Sequence, residues 1–375
     1  MLIHYVTGSR ADFGLVESCL KTIDASTQHD VEVIVTGQHL IDKYGHTTSD
    51  IERSGLRMAA QIPVALSGRD GHEMAHAMAS ELAGFADLWK KRRPALVLVL
   101  GDRGEMLAAA IAAVNMGIHI AHIHGGERSG TIDESYRHAI SKLSHIHFPA
   151  TEDAAARLAK MGEHEDRIVL VGAPGLVGLT DGIRRDPIEL RRTFELSASK
   201  PIALVVFHPV VQEQQDAGAQ IEALLGGLHS ANLSAIILRP NSDAGGDAID
   251  RVLDMSDASK DVRVCTHLRR RDYLKTMASC DLVIGNSSSG IIESASFSVP
   301  CVNIGSRQNN RQRNSNTIDC LTFDQPAILK AIDQALELTC DGKNVYGDGR
   351  TDTLLLSALN EIEFFPEMLS KQNSY

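Results

Sequence analysis

Three consecutive serines follow an apolar strand in DLVIGNSSSGIIE, residues 281–293. The stretch reads as a buried strand, Asp281–Gly285, that runs through Asn286, Ser287, Ser288, Ser289 and Gly290 into a helix carrying Glu293. A turn of small hydroxylic residues presents backbone N–H groups at the positive end of a helix dipole, where a phosphate or pyrophosphate is held. The competing reading is an ordinary strand-to-helix loop with a serine cap. The serine run and the acid after it favour the phosphate reading, with Glu293 placed to accept hydrogen bonds from a ribose diol.

The second chemical signal is HIHGGERSGTIDESYRH, His122–His138, which gathers His124, Glu127, Asp133, Glu134, Arg137 and His138 behind an apolar strand. Acid–base chemistry needs carboxylates whose affinity for protons is moved by burial and by one another, and acids crowded at a glycine turn supply that. Some of these residues must also cap the helix that follows. GDR, Gly101–Arg103, comes after the most hydrophobic run of the chain, ALVLVL, and makes Asp102 either a catalytic carboxylate or a helix cap.

Other polar clusters sit at strand ends as well. In TGSRADFG, Arg10 leaves a Gly/Ser turn, either to clamp a phosphate or as a surface arginine near a helix start. FHPV puts His208 at the end of a strand that Pro209 stops, as a ligand-binding or a satisfied histidine. RPNSDAG and CTHLRRRDY bring Arg239, Asn241 and His267, and the run Arg269–Arg271 reads as a solvated face. HEMAH, His72–His76, matches the HExxH zinc pattern with Glu73 as base, but it lacks the downstream Gly and His of the longer form. We expect a solvated helix face there and no metal.

These clusters need a frame of parallel strands. Apolar runs recur at Leu2–Thr7, Val31–Thr36, Ala95–Gly101, Ile118–Ile123 and Ile168–Val171. They restart at Ile202–His208, Ala235–Arg239, Val262–Cys265, Leu282–Gly285 and Pro300–Ile304, with helical segments between. Near-continuous apolar strands alternating with helices mean parallel sheets covered on both faces. The expected fold is α/β: two doubly wound, Rossmann-like domains with ligand between them at the carboxyl ends of the strands. Residues 1–175 form the catalytic side, 176–360 the nucleotide side, and 361–375 a loose tail.

A chain of 375 residues with 43% hydrophobic and 23% charged residues suits two globular domains. The net charge of −11, without a basic stripe, argues against nucleic acid, while local arginines can still hold a small anion. Six scattered cysteines without CxxC spacing, no leader pattern and no apolar run of spanning length point to a cytoplasmic protein with no membrane partner. No GxSxG, P-loop or GxGxxG motif is present, which weighs against serine hydrolases, NTPases and dehydrogenases.

In order along the chain, TGSRADFG, VTGQHLIDKYG, LGDRGEMLAAAIAA, HIHGGERSGTIDESYRHAISKLSH, MGEHEDRI, FHPV, GNSSSGIIE and NIGSRQNNR resemble the hydrolysing UDP-N-acetylglucosamine 2-epimerases of sialic-acid biosynthesis. The resemblance covers about residues 1–320, and YGDG, Tyr346–Gly349, is similar to the family's C-terminal end. It implies a glycosyltransferase-B-like architecture with a cleft, a UDP-sugar substrate, no cofactor, and a homodimer or homotetramer. The implied reaction takes UDP-GlcNAc to ManNAc and UDP by loss of UDP across C1–C2, then hydration with inversion at C2. On this resemblance Asp102, Asp133 and Glu134 transfer protons while His124 and Glu127 shape the sugar pocket. His208 counts with these five among the catalytic residues and binds the sugar or phosphate, and Arg10, Arg103, Arg137, His138, Arg239, Asn241, His267, Gly285, Ser287, Ser288, Ser289, Glu293 and Arg307 fall on the substrate side. Many members read HIEGGE where this chain has His124; others, including some acting on bacillosamine-type sugars, carry histidine. The alternatives are the diacetamido sugar as substrate, a non-hydrolysing epimerase, a retaining glycosyltransferase of the same fold, and a zinc peptidase on His72 and His76.

Overall fold

The computed structural model describes residues 1–41, 47–64, 71–130, 132–240, 243–256 and 261–374. They divide into two compact units, one of Met1–Arg128, Asp133–Gly178 and Tyr346–Tyr375, the other of Ser129–Ile132 and Leu179–Val345.

In the first unit, strands and helices alternate as β1 (Leu2–Thr7), α1 (Arg10–Asp24), β2 (Asp30–Val35), α2 (Thr48–Ser54), β3 (Arg57–Gln61), α3 (Gly71–Lys91), β4 (Leu96–Leu100), α4 (Gly104–Asn115), β5 (His119–Ile123), α5 (Ile132–Leu143), β6 (Ile146–Phe148) and α6 (Glu152–Lys160). The six strands pair in parallel in the order β3-β2-β1-β4-β5-β6. β4 is buried along its whole length, as LVLVL requires in a sheet covered on both faces. Each such Val or Leu side chain contributes about 1.5–3 kcal/mol of burial. One face of the sheet packs on Phe13, Val16 and Leu20 of α1, the other on Phe85 and Trp89 of α3 and the alanine face of α4.

The second unit repeats the plan. After α7 (Pro187–Thr193) come β7 (Ile202–Val206), α8 (Ala217–Ser230), β8 (Ser234–Leu238), α9 (Gly246–Ser256), β9 (Val262–Cys265), α10 (Arg270–Ser279), β10 (Leu282–Gly285), α11 (Ser288–Ile292), β11 (Cys301–Ile304), β12 (Thr317–Cys320) and α12 (Gln325–Glu337). Its parallel order is β12-β11-β10-β7-β8-β9. Strand order therefore reverses at β1/β4 in the first sheet and at β7/β10 in the second, the switch points where doubly wound sheets bind ligands.

The differences from expectation lie at edges. Ile168–Val171 is not a strand; Ile168 makes one bridge to His147, beside the three-residue edge strand β6. β3, β6 and β12 were not expected, because RMAAQ, IHF and TIDC are short or polar, as edge strands tend to be. Tyr346–Tyr375 group with the first unit, and the described residues 361–374 include buried and hydrogen-bonded positions. α13 (Thr351–Glu361) places Leu355 and Leu359 in the core under α1. Beyond it Met368 is buried, and Lys371 Nζ donates to the carbonyls of Ser141, Lys142 and Ser144 at the end of α5.

Candidate active site

At the first switch point β1 runs into the turn that starts α1. Ser9 caps that helix in a reciprocal box with Asp12, whose Oδ2 accepts from the Gly8 and Ser9 amides at 3.1 and 2.9 Å. Burial raises the Asp12 carboxyl to about 7, against the Thr7 hydrogen bond that lowers it. Arg10 follows at the first helical position, but its guanidinium pairs with Asp50 of α2 at 2.7 Å.

β4 ends beside β5, with Leu100 in register with Ile123, and the Gly101 amide donates to the Ile123 carbonyl at 2.9 Å. Asp102 and His124 thus leave adjacent strand ends. The Asp102 carboxylate is ion-paired with Arg137, a buried guanidinium on α5. Arg103 donates to Glu105 Oε1 at 2.9 Å.

His122 and His124 occupy different environments. His122 Nε2 donates to the Gly101 carbonyl at 2.7 Å, and its Nδ1 faces Ser141 Oγ at 3.1 Å. Burial pushes it down to about 3. It is a structural histidine. His124 instead has a φ of 64°, a left-handed conformation that costs a non-glycine residue about 1–3 kcal/mol. Its Nδ1 pairs with Glu127 Oε1, and Glu127 is buried. Asp133 and Glu134 form the first turn of α5, and Glu134 Oε1 lies 3.7 Å from His138 Nε2. Burial, more than the opposing Glu134 charge, lowers the His138 imidazole below its ordinary range.

At the second switch point β7 and β10 are joined beyond their ends. Asn286 Oδ1 accepts from the His208 amide and Asn286 Nδ2 donates to the His208 carbonyl, each at 2.7 Å. Gly285 sits at φ 142° with Val206 O only 2.1 Å from where a Cβ would be, so only glycine admits this approach. Ser287 Oγ lies 3.0 Å from Ser289 Oγ, which meets the Tyr273 hydroxyl at 2.5 Å. Ser288 begins α11. Arg307 Nη1 donates to the Asn286 carbonyl at 3.3 Å, beside the serine loop. In the same unit the Gly130 amide donates to Arg307 O at 2.9 Å.

Several expectations change here. α11 is a five-residue helix, too short for the strong dipole expected of it. Glu293 is buried and accepts from Arg270 Nη1 at 2.8 Å. Arg270, read as part of a solvated face, is therefore a residue of the loop's support, as is Tyr273. Neither had a local signal, since both meet their partners only through the packing of α10 on the end of β10. Arg239 turns to Asp250 and Asp254 of α9, at 3.1 and 2.5 Å. His267 is exposed beyond β9, and Asn241 lies outside the described residues. His72 and His76 are exposed on α3, their ring centroids 4.4 Å apart. Among the described residues no group of three or more His, Cys, Asp or Glu is arranged to hold a metal.

Each unit thus carries a polar cluster at its strand ends, acids and imidazoles in the first and the serine loop with Arg307 in the second. A family model described as UDP-N-acetylglucosamine 2-epimerase matches residues 21–360. The chain belongs to the UDP-N-acetylglucosamine 2-epimerase family. It is 44% identical over 377 residues to UDP-N,N'-diacetylbacillosamine 2-epimerase (hydrolyzing) of Legionella pneumophila, covering 100% of this chain and 99% of that one. It is 30% identical over 351 residues to UDP-N-acetylglucosamine 2-epimerase of Neisseria meningitidis, covering 93% and 92%. The Neisseria meningitidis UDP-GlcNAc 2-epimerase bound to UDP-GlcNAc has the same fold, with a TM-score of 0.78 over 96% of this chain and 100% of that one at 15% identity. This epimerase-family chain thus has two parallel six-stranded sheets flanked by helices, as the epimerase structures do. No described helix is long and apolar enough to cross a membrane.

Proposed function

We propose that this chain is a hydrolysing 2-epimerase that converts UDP-N,N'-diacetylbacillosamine to UDP and the free 2-epimeric diacetamido sugar. The observation that carries this reading is the 44% identity, over the full length of both chains, to a relative of that activity. Histidine at position 124 fits it. UDP-GlcNAc, the substrate expected from sequence, is the second reading, favoured by the 30% identity to the Neisseria enzyme. Either substrate would enter a step toward sialic-acid-like sugars.

The chemistry assigned is the same for both. UDP leaves C1 as a proton leaves C2, giving a glycal, and water adds with the opposite configuration at C2. In the second unit the Ser287–Ser289 loop, Arg307 and His208 hold the diphosphate, and Glu293 with Arg270 lies behind the ribose. In the first unit Asp102, fixed by Arg137, and Asp133 with Glu134 serve proton transfer at the sugar. Arg103 and His138 complete the polar lining. The residues named need no metal, because backbone N–H groups and arginine can carry the departing negative charge.

The test is turnover of each UDP-sugar in deuterated water, followed by proton NMR. Free diacetamido sugar carrying deuterium at C2, with UDP, is the expected product. Release of the UDP-linked epimer would make the enzyme non-hydrolysing. Turnover of UDP-GlcNAc alone would move the assignment to the second reading.

A further inference from the structure

We infer that Glu127 and His124 form a carboxylate–imidazole dyad, in which Glu127 is a positioning residue and Nε2 of His124 takes the proton from C2 of the sugar. This rests on the function proposed above and goes beyond it, since no proton transfer is assigned there to His124 or Glu127.

A carboxylate accepts hydrogen bonds and does not donate them, so the contact between Glu127 Oε1 and His124 Nδ1 needs a hydrogen on Nδ1. The neutral ring then carries its lone pair on Nε2, the atom that can act as base. Side-chain exposures of 12% for His124 and 4% for Glu127 withdraw the pair from competing water. The backbone is shaped to make it. His124 takes its left-handed φ while its amide donates to the Phe148 carbonyl at 3.0 Å, fixing the ring's base to the neighbouring strand β6. Gly126, at φ 78°, lies so close to α6 that a Cβ there would be 2.4 Å from the Ala154 carbonyl. That turn lets Glu127 come back behind the ring three residues after it.

His122 sharpens the choice. Both of its nitrogens are engaged by the fold, with Gly101 O and Ser141 Oγ. It has no lone pair to offer a substrate, whereas His124 stands at the carboxyl end of β5 next to Asp102.

In the step, Nε2 binds the C2 proton, the C2–H electron pair becomes the second C1–C2 bond, and the C1–O pair leaves with UDP. The imidazolium formed faces the Glu127 carboxylate, which stabilises it, and its proton passes to solvent. A separate acid, Asp133 or Glu134, then protonates C2 from the other side while water supplies hydroxyl to C1 and restores the acid's proton.

Two measurements test this. In protein labelled with 15N-histidine, wild-type His124, assigned by its loss in His124→Gln, should show a protonated Nδ1 and an unprotonated Nε2, and Glu127→Gln should abolish that preference. This requires no turnover, so it separates the dyad from the proposed reaction. In kinetics, Glu127→Gln should lower kcat by about 10²-fold with KM and UDP affinity within about threefold, and Glu127→Asp should recover part of it. The Glu127→Gln/His124→Gln pair should lose no more than His124→Gln alone. A wild-type ring protonated on Nε2, an unchanged kcat in Glu127→Gln, or losses that multiply in the double variant would overturn the dyad. A wild-type circular-dichroism spectrum and a single cooperative melt show that each variant is folded. An enzyme with the expected tautomer that turns over neither UDP-sugar would overturn the proposed function alone.

Discussion

Asn286 bonds the amide and the carbonyl of His208 with its two side-chain atoms, at 2.7 Å each, closing the gap that opens where β7 and β10 end. One side chain thereby holds the two loops of the second switch point in a fixed relation. Asn286→Ala leaves both backbone groups of His208 without that partner, at a cost of about 1–3 kcal/mol for each that stays dry. We expect a lower Tm and at least about tenfold weaker UDP binding by calorimetry. Unaltered UDP affinity would mean that the clamp does not shape the nucleotide loop.

Asp102 is held by the buried guanidinium of Arg137. Asp102→Asn keeps the shape and removes the charge, so kcat should fall by about 10²–10⁴-fold while UDP affinity stays close to wild type. A variant that loses UDP binding but keeps kcat would refute the assigned role. Arg137→Met should be the less stable of the two, since it strands a carboxylate in a partly buried position.

Glu81 of α3 is buried against Thr36, whose hydroxyl donates to it at 2.9 Å. Burial first, then the neighbouring charge of Glu105, raises its carboxyl from 4.5 to about 8. The folded state therefore holds this proton more tightly than the unfolded chain. The stability it brings is complete below pH 4.5 and is lost as pH rises through about 8. Asp12 adds the same trend up to about 7. Glu81→Gln should flatten the fall in Tm between pH 5 and 9, roughly the interval the linkage sets. A Tm profile as steep as wild type would show that Glu81 is not the group responsible.

Glu163 behaves in the opposite sense. Burial alone would raise it, but hydrogen bonds from His147, Lys142 and Lys371 hold it down at about 2. Its contribution is present above pH 4.5 and disappears as pH falls through about 2. Lys371→Met should lower Tm at pH 7, with the gap to wild type narrowing as the acid limit is approached. A gap that stays constant down to the acid limit would exclude Glu163 as the partner that matters.

The alternation of apolar strands and helices was legible in the chain because burial on both faces writes itself locally, as LVLVL and IALVV do. So were the strand-end turns that carry the candidate residues, since glycine, serine and acids after such a strand mark its carboxyl end. What remained hidden were short edge strands, whose polar sequences carry no periodic signal, and the return of α13 to the first unit, whose leucines would suit any core. The pairings were hidden too. Whether Arg270 faces solvent or Glu293, whether Arg10 meets a phosphate or Asp50, and which nitrogen of His124 points away from Glu127 depend on how distant segments approach. Local composition determined where charged groups gather along the chain. Only sheet order and packing, which set distances of a few ångströms between residues far apart in sequence, decided which of them hold one another.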